Sequence, residues 1–204
     1  MRGLSRQHQA LYHRKLRRRG VSLGTGTYVA RGSQIAASIS IGDHTRVDAS
    51  ARLVGEAPIT IGKYCAIATG VTMLSDNHDM RTPNMSIGLA QYLNIGDPRL
   101  ASPICVRNSV WIGDRAIVLT GVTIGDGAVI GAGSVVTRDV PAFAVAAGVP
   151  SRVLRSRFST EVVEFLQELA WWDWDRARIE RNKELMATDL TLTPLERLSE
   201  MVRA

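Results

Sequence analysis

The sequence predicts an all-β solenoid of about five coils. Three observations lead to it: an apolar residue returns every sixth position, the residue four places after each is mostly small or β-branched, and no helical period runs through the same stretch. A helix needs apolar residues every three or four positions and a half-buried strand every two. A six-residue rhythm instead gives one short strand and one turn, which is one flat side of a coil. Three such sides close a triangular coil of eighteen residues, and each coil buries its apolar face only against the next.

Taken in order, residues 1–20 form a basic segment read as a short helix, with "HRKLRRRG" from His13 to Gly20 carrying much of the charge. Residues 21–141 are the solenoid. Its first array is Leu23, Val29, Ile35, Ile41, Val47 and Leu53, with Thr27, Ser33, Ile39, Thr45, Ala51 and Ala57 four places on. The register slips by two near Pro58. It resumes at Ile61, Ile67 and Met73, partnered by Cys65, Val71 and Asn77, and stops after His78. Residues 79–103 are an excursion without the rhythm. A last array, Val106, Ile112, Val118, Ile124, Ile130 and Val136, completes fifteen hexads. Gly113, Gly121, Gly125 and Gly131 suit corners that need positive φ. The period defines the coil but not its hand.

Residues 142–204 form an exit segment followed by helices. Val162, Phe165, Leu166 and Leu169 make one apolar stripe, and Thr193-Pro194-Leu195-Glu196 has the pattern of a helix start. These helices are expected to cover an open end of the solenoid, where strand edges would otherwise be unpaired.

Composition narrows the function. Hydrophobic residues are 45% of the 204 and aromatics only 5%, so the core is aliphatic. Net charge is +6. No aromatic residues interleave the basic run, so a solvated helix face is preferred to a nucleic-acid site and no nucleic-acid partner is expected. The same helix could rest on a membrane surface. No segment is apolar and long enough to span a bilayer, no signal-peptide pattern opens the chain, and a cytoplasmic location is expected. The two cysteines, Cys65 and Cys105, are read as packing residues, and no metal is expected.

The stretch "VWIGDRAIVLTGVTIGDGAVIGAGSVVTRDVPAFAVAAGVPSRVLR" resembles the hexapeptide-repeat acyltransferases, a family built on a left-handed parallel β-helix. The resemblance covers roughly residues 21–157. The tail, "RFSTEVVEFLQELAWWDWDRARIERN", is similar to that of the xenobiotic acetyltransferases, the type B chloramphenicol and streptogramin branch. The resemblance implies the left-handed coil, a homotrimer with active sites between subunits, and acetyl-CoA as donor.

Acetyl transfer to a hydroxyl needs a base, and His is suited to that near neutral pH. Of the four histidines, His78 stands in "SDNHDM", on the last turn before the excursion, where a rigid scaffold meets a loop. The family's catalytic His lies in such an Asn-His motif, so the resemblance makes His78 the general base. Asp76, Asn77 and Asp79 are candidates to orient it or bind the acceptor. Trp111, Gly113, Ala132, Gly133, Thr137, Arg138, Arg152 and Arg155 match the family's CoA-contact positions. Trp171, Trp172 and Trp174 are read as packing residues of the tail. The antibiotic-modifying branch carries Asn-His-Arg-Met and an aromatic-rich loop, whereas this chain has "NHDM" and few aromatics there.

The expected function is therefore an acetyl-CoA-dependent acetyltransferase, most directly an O-acetyltransferase acting on a sugar or another small hydroxylated acceptor. Antibiotic acetylation and nucleotide-sugar N-acetylation use the same scaffold. A β-helical zinc carbonic anhydrase would need three His ligands, and the spacing offers no suitable set. A non-enzymatic solenoid scaffold is the last alternative, and the Asn-His motif argues against it.

Overall fold

The computed structural model describes residues 6–36 and 38–203 and forms a parallel β-solenoid with helices at its start and its tail. The first side stacks strands Ser22–Leu23, Ile39–Ile41, Ile59–Ile61, Ile104–Val106 and Thr123–Ile124. The second stacks Tyr28–Val29, Arg46–Val47, Ala66–Ile67, Trp111–Ile112 and Val129–Ile130, and is extended by Ala144–Gly148 and Ser151–Ser156. The third stacks Gln34–Ile35, Arg52–Val54, Thr72–Leu74, Ile117–Val118 and Val135–Val136. Five full coils are complete, and a sixth begins at Val140 and the Ala144–Gly148 strand.

The hexad rhythm is the core. All fifteen leading residues are buried, and together they form one continuous cluster. Burying each aliphatic side chain stabilises the prism by about 1.5–3 kcal/mol. Three of the expected inward partners differ, and the first, Ser33, is half-buried. Asn77 is exposed, and the buried place near it belongs to Ser75; Ala57 is half-buried, and Ile59 is the inward residue. Asn77 and Ala57 sit where the rhythm breaks, at the start of the excursion and at the two-residue slip.

The corner between the first and second sides uses left-handed backbone at Gly26, His44, Tyr64, Ser109, Gly127 and Phe143. Of the four glycines expected at positive φ, only Gly121 has it. Gly113, Gly125 and Gly131 answer a different need, the close approach of the next coil. A Cβ on Gly113 would stand 2.6 Å from the Ala132 nitrogen. Inside the second coil, Thr45 is fully buried and bridges to the next, its Oγ1 donating to Gly62 O at 2.6 Å and accepting from Cys65 N–H at 2.9 Å. Cys65 is a packing residue, and burial pushes its thiol up to about 11.

The solenoid's first end is closed by helix α1 (Arg6–Arg18). Residues 1–5 of the expected basic segment lie outside the described residues. Leu16 plugs the prism. On the exposed edge of the first coil, Val29 O accepts from Gln9 Nε2 at 2.7 Å, and Val29 N–H donates to His13 Nε2 at 3.3 Å. Arg17 caps Leu23 O at 3.1 Å. Unpaired edge groups therefore find side-chain partners.

The excursion is more ordered than expected. It begins and ends as an antiparallel ribbon, Asp76–His78 against Arg99–Ala101, and carries helix α2 (Ile87–Leu93). The tail helices α3 (Thr160–Leu169), α4 (Arg176–Arg181), α5 (Lys183–Ala187) and α6 (Leu195–Met201) were expected to cover a solenoid end. They run instead along the corner between the first and second sides. Phe143, Val162, Leu166, Trp172, Trp174, Leu185 and Leu198 form their core, and Trp171 packs on Tyr64 at 5.0 Å. Aromatic residues on that corner offer the larger apolar surface, so the tail is drawn there. Helix α6 starts at Leu195, with Pro194 at the cap position, and Thr193 Oγ1 donates to Asp189 O instead of capping. Ala204 lies outside the described residues. No described helix is long and apolar enough to cross a membrane.

His13 carries a pH dependence. Burial, and then the neighbouring Arg17, hold its pKa below the usual imidazole range, and its Nε2 must be unprotonated to accept from Val29. A folded pKa below the unfolded one gives stability that is present above about pH 6.5 and lost as the pH falls through the folded value. Hydrogen exchange, corrected for intrinsic rates, is expected to show α1 amides losing protection between about pH 7 and 5, with the coil amides unchanged. His13→Gln is expected to abolish that pH dependence.

Candidate active site

The site is organised around Ser75. This residue is fully buried where the third side turns toward the first, and its Oγ donates to Ala57 O at 2.6 Å. Its carbonyl accepts from Ser102 N–H at 3.1 Å and from Thr120 Oγ1 at 3.0 Å. The chain therefore leaves the coil and returns to it at one pinned point. The ribbon follows at once, with Asp76 opposite Ala101, Asn77 opposite Leu100 and His78 opposite Arg99. His78 is exposed, three residues beyond the anchor, on a paired strand rather than a free loop.

The residues expected to orient His78 are engaged elsewhere. Asp76 meets Arg99 at 3.4 Å, and Arg99 also reaches Glu56 at 3.1 Å and Asp97 at 2.8 Å. Asn77 Oδ1 accepts from the backbone N–H of His78 at 2.9 Å. Asp79 holds Arg81 through two hydrogen bonds of 2.8 and 2.9 Å. The Arg81 guanidinium and its backbone N–H keep the Asp79 carboxyl down at about 2. Among the described residues, none of the three bonds the His78 ring. Charge-assisted pairing with a guanidinium outcompetes a bond to a neutral imidazole. Arg81 and Arg99 are the residues that sequence reasoning missed: each closes a local Asp-x-Arg pair, with Asp79 and Asp97, and only the ribbon register brings Arg99 to Asp76 as well.

The expected CoA positions divide into two groups. Trp111, 55% exposed, lies on the outward face of the second side. The register continues from it through Val129 and Val145 to Arg155, a straight outward row. Arg152 stands opposite Ala147, and a bulge in the last hairpin lies between Arg152 and Arg155. Residues three apart on a regular strand point to opposite faces, so the extra residue brings both arginines to the same outward face. Neither has an acidic partner among the described residues. Beside this row is a groove of about 340 Å³ lined by Ala68, Trp111, Gly113, Asp114, Gly131 and Ala132. Gly133 continues the same corner with φ of 67°. The Ala132 N–H donates to no acceptor among the described residues, so a ligand amide could accept from it. Val129 and Val145 were missed. Val129 is findable from Trp111 by the eighteen-residue stride; Val145 is not, because the last coil is two residues shorter.

Thr137 and Arg138 belong to the other group. Both are exposed and follow the third side, on the same corner as His78 and two coils further on. One whole side of the prism, roughly 15 Å, separates His78 from the Trp111 groove within a single chain. The three tail tryptophans are packed: Trp172 and Trp174 are buried, and Trp171 is half-buried against Tyr64. Among the described residues no group of three or more His, Cys, Asp or Glu is arranged to hold a metal ion.

Comparison with known proteins bears on this geometry. The family model described as bacterial transferase hexapeptide (six repeats) matches residues 106–138. A probable macrolide acetyltransferase of Lysinibacillus sphaericus is 32% identical over 146 residues, 67% of this chain and 81% of that protein. A solved hexapeptide-repeat acetyltransferase from Vibrio cholerae, complexed with acetyl coenzyme A, is 30% identical, with a TM-score of 0.63 over 76% of this chain and 79% of its own. A galactoside acetyltransferase in complex with coenzyme A is also 30% identical, with a TM-score of 0.62 over 76% and 74%.

Arg99 is the tie between the two ribbon strands and three carboxylates. In Arg99→Leu the like charges of Glu56, Asp76 and Asp97 lose their common cation. Limited chymotrypsin digestion is expected to cut within residues 79–98 several-fold faster than in the wild type, while the coils stay intact, as local opening of a weakened segment requires.

Proposed function

The chain belongs to the hexapeptide-repeat transferases, and from that premise we propose that it is an acetyl-CoA-dependent O-acetyltransferase acting on a sugar or another small hydroxylated acceptor, with His78 as the general base. The observation that carries this reading is the combination of one exposed imidazole on a pinned ribbon with a small-residue groove beside an outward row that ends in two co-facing arginines.

Each element has a task. The groove walls, Trp111 on one flank and Gly131 and Ala132 on the other, suit a narrow pantetheine arm, and the unused Ala132 N–H suits one of its amides. Arg152 and Arg155 suit the coenzyme phosphates through paired donors. His78 takes the proton of the acceptor hydroxyl as the oxygen attacks the thioester carbonyl. The tetrahedral intermediate then expels the CoA thiolate, which recovers the proton from the imidazolium. No acyl-enzyme is needed. A cytoplasmic location goes with this reading, because the donor is an intracellular metabolite.

Two observations support a homotrimer with sites between subunits. His78 and the Trp111 groove occupy different corners of one prism, an arrangement that suits a site completed by the groove of a second chain. The excursion also exposes Met80 and Tyr92, both 85%, along with Leu93 and Ile95, an apolar patch suited to packing on a neighbour. A second reading, acetylation of an antibiotic, is favoured by the similarity to a probable macrolide acetyltransferase.

Thiol release from acetyl-CoA over a panel of sugars, nucleotide sugars, a macrolide and chloramphenicol separates the acceptors. His78→Ala is expected to lose roughly 10²–10⁴ in turnover with the preferred acceptor while keeping CoA affinity. Turnover that survives the change would remove His78 as the base.

Ala132→Leu is expected to fill the groove and abolish CoA binding. Refolding a mixture of His78→Ala and Ala132→Leu chains should restore activity, since some sites then combine an intact His78 with an intact groove. Sites contained within one chain would give no recovery.

A further inference from the structure

The chain's charge is polarised along the solenoid. Eight of its 25 Lys and Arg precede Asp43, and no Asp or Glu stands among them. The remaining 17 face 19 acidic residues, so the whole positive excess belongs to residues 1–42. Among the described residues, those cations stand on α1, the turn after it and the first coil. Leu16, Gln9, Tyr12 and His13 turn inward on α1 and close the prism. By helical spacing, Leu11, Arg14 and Arg18 share the opposite, outermost line, and all three are exposed. Leu11 is 61% exposed at the N-terminal end of this line. Lys15 and Arg31 flank a cleft of about 400 Å³ that also includes Leu11 and Tyr12. None of Arg14, Lys15, Arg18, Arg19 and Arg31 has an acidic partner among the described residues.

We propose that this end face is a docking surface for an anionic lipid bilayer. Arg14, Lys15, Arg18 and Arg31 meet the headgroup phosphates, and Leu11 enters the interface. The charge complements an anionic leaflet, as a cluster of four or more Lys and Arg on one helix face does, and the exposed Leu11 beside the cluster adds a small apolar contact. Nucleic acid is the less suitable occupant. Among the described residues the face presents no Phe or Trp, and its Tyr12 is half-buried with the hydroxyl on Ser33 O, so a platform for base stacking is lacking. The surface lies away from the His78 ribbon and the Trp111 groove, so the proposal stands independently of the acetyl-transfer reading.

Vesicle co-sedimentation of the full chain tests it. The wild type is expected to bind vesicles of phosphatidylcholine mixed with phosphatidylglycerol and to ignore phosphatidylcholine alone. Binding should fall away as salt rises from about 0.1 M, where the screening length is about 10 Å, to about 1 M, where it is about 3 Å. The triple variant Arg14→Glu, Lys15→Glu, Arg18→Glu is expected to bind roughly tenfold or more weakly, with melting temperature and acetyl transfer unchanged. Leu11→Ser, which keeps every charge, should weaken binding a few-fold. The proposal is overturned if the wild type binds neither vesicle or both equally, or if the triple variant binds as the wild type does. Capture by a DNA duplex in preference to anionic vesicles would likewise overturn it, in favour of a nucleic-acid surface.

Discussion

The stacking of one coil on the next is the constraint on which everything else in this chain depends. No strand of the five full coils exceeds three residues, and none buries an apolar face without a neighbour. Backbone bonds such as Gly42 N–H to Ile61 O and Trp111 N–H to Ala128 O keep successive coils in register. That register places the residues of each column directly above one another, so a side chain's position is determined by its coil and its side. Thr45 shows how little slack there is: one hydroxyl bonds both ends of the next coil's corner, Gly62 O and Cys65 N–H.

Because the sides must be flat and repetitive, individuality is confined to the three corners. The tail packs along the corner of His44, Tyr64 and Phe143. The groove beside Trp111, Gly113 and Ala132 occupies the second corner. The ribbon bearing His78 leaves from the third, pinned by Ser75. Each departure from strict periodicity coincides with a functional feature: the two-residue slip beneath Ser75, the excursion, and the shortened last coil whose bulge brings Arg152 and Arg155 to one face. Local irregularity on a stiff frame directs side chains where regular strands would not.

The solenoid was legible in the sequence because its period is a direct image of its packing. Every leading hexad residue, from Leu23 to Val136, is buried as the rhythm requires. The position of His78 before the excursion was also legible, since a broken rhythm marks a departure from the coil. The glycines were harder. Gly113 and Gly125 look like turn residues, yet their small size serves the contact with the next coil, which depends on a neighbour eighteen or so residues away. The partners of Asp76 and Asp79 were illegible, because Arg99 and Arg81 are brought to them by ribbon register and side-chain reach rather than by any period. The destination of the tail was hidden for a related reason: the aromatic corner that attracts it is assembled from residues in different coils.

The side chains of α1 that satisfy Val29 have a consequence for assembly. A stack of identical coils has no intrinsic length, and an open rung offers its amides to any other rung of the same shape. With Gln9 and His13 occupying that edge, the stack is finite at this end. Without them, one prism could add to another end to end, and the same repetition that makes the fold stiff would favour open-ended filaments.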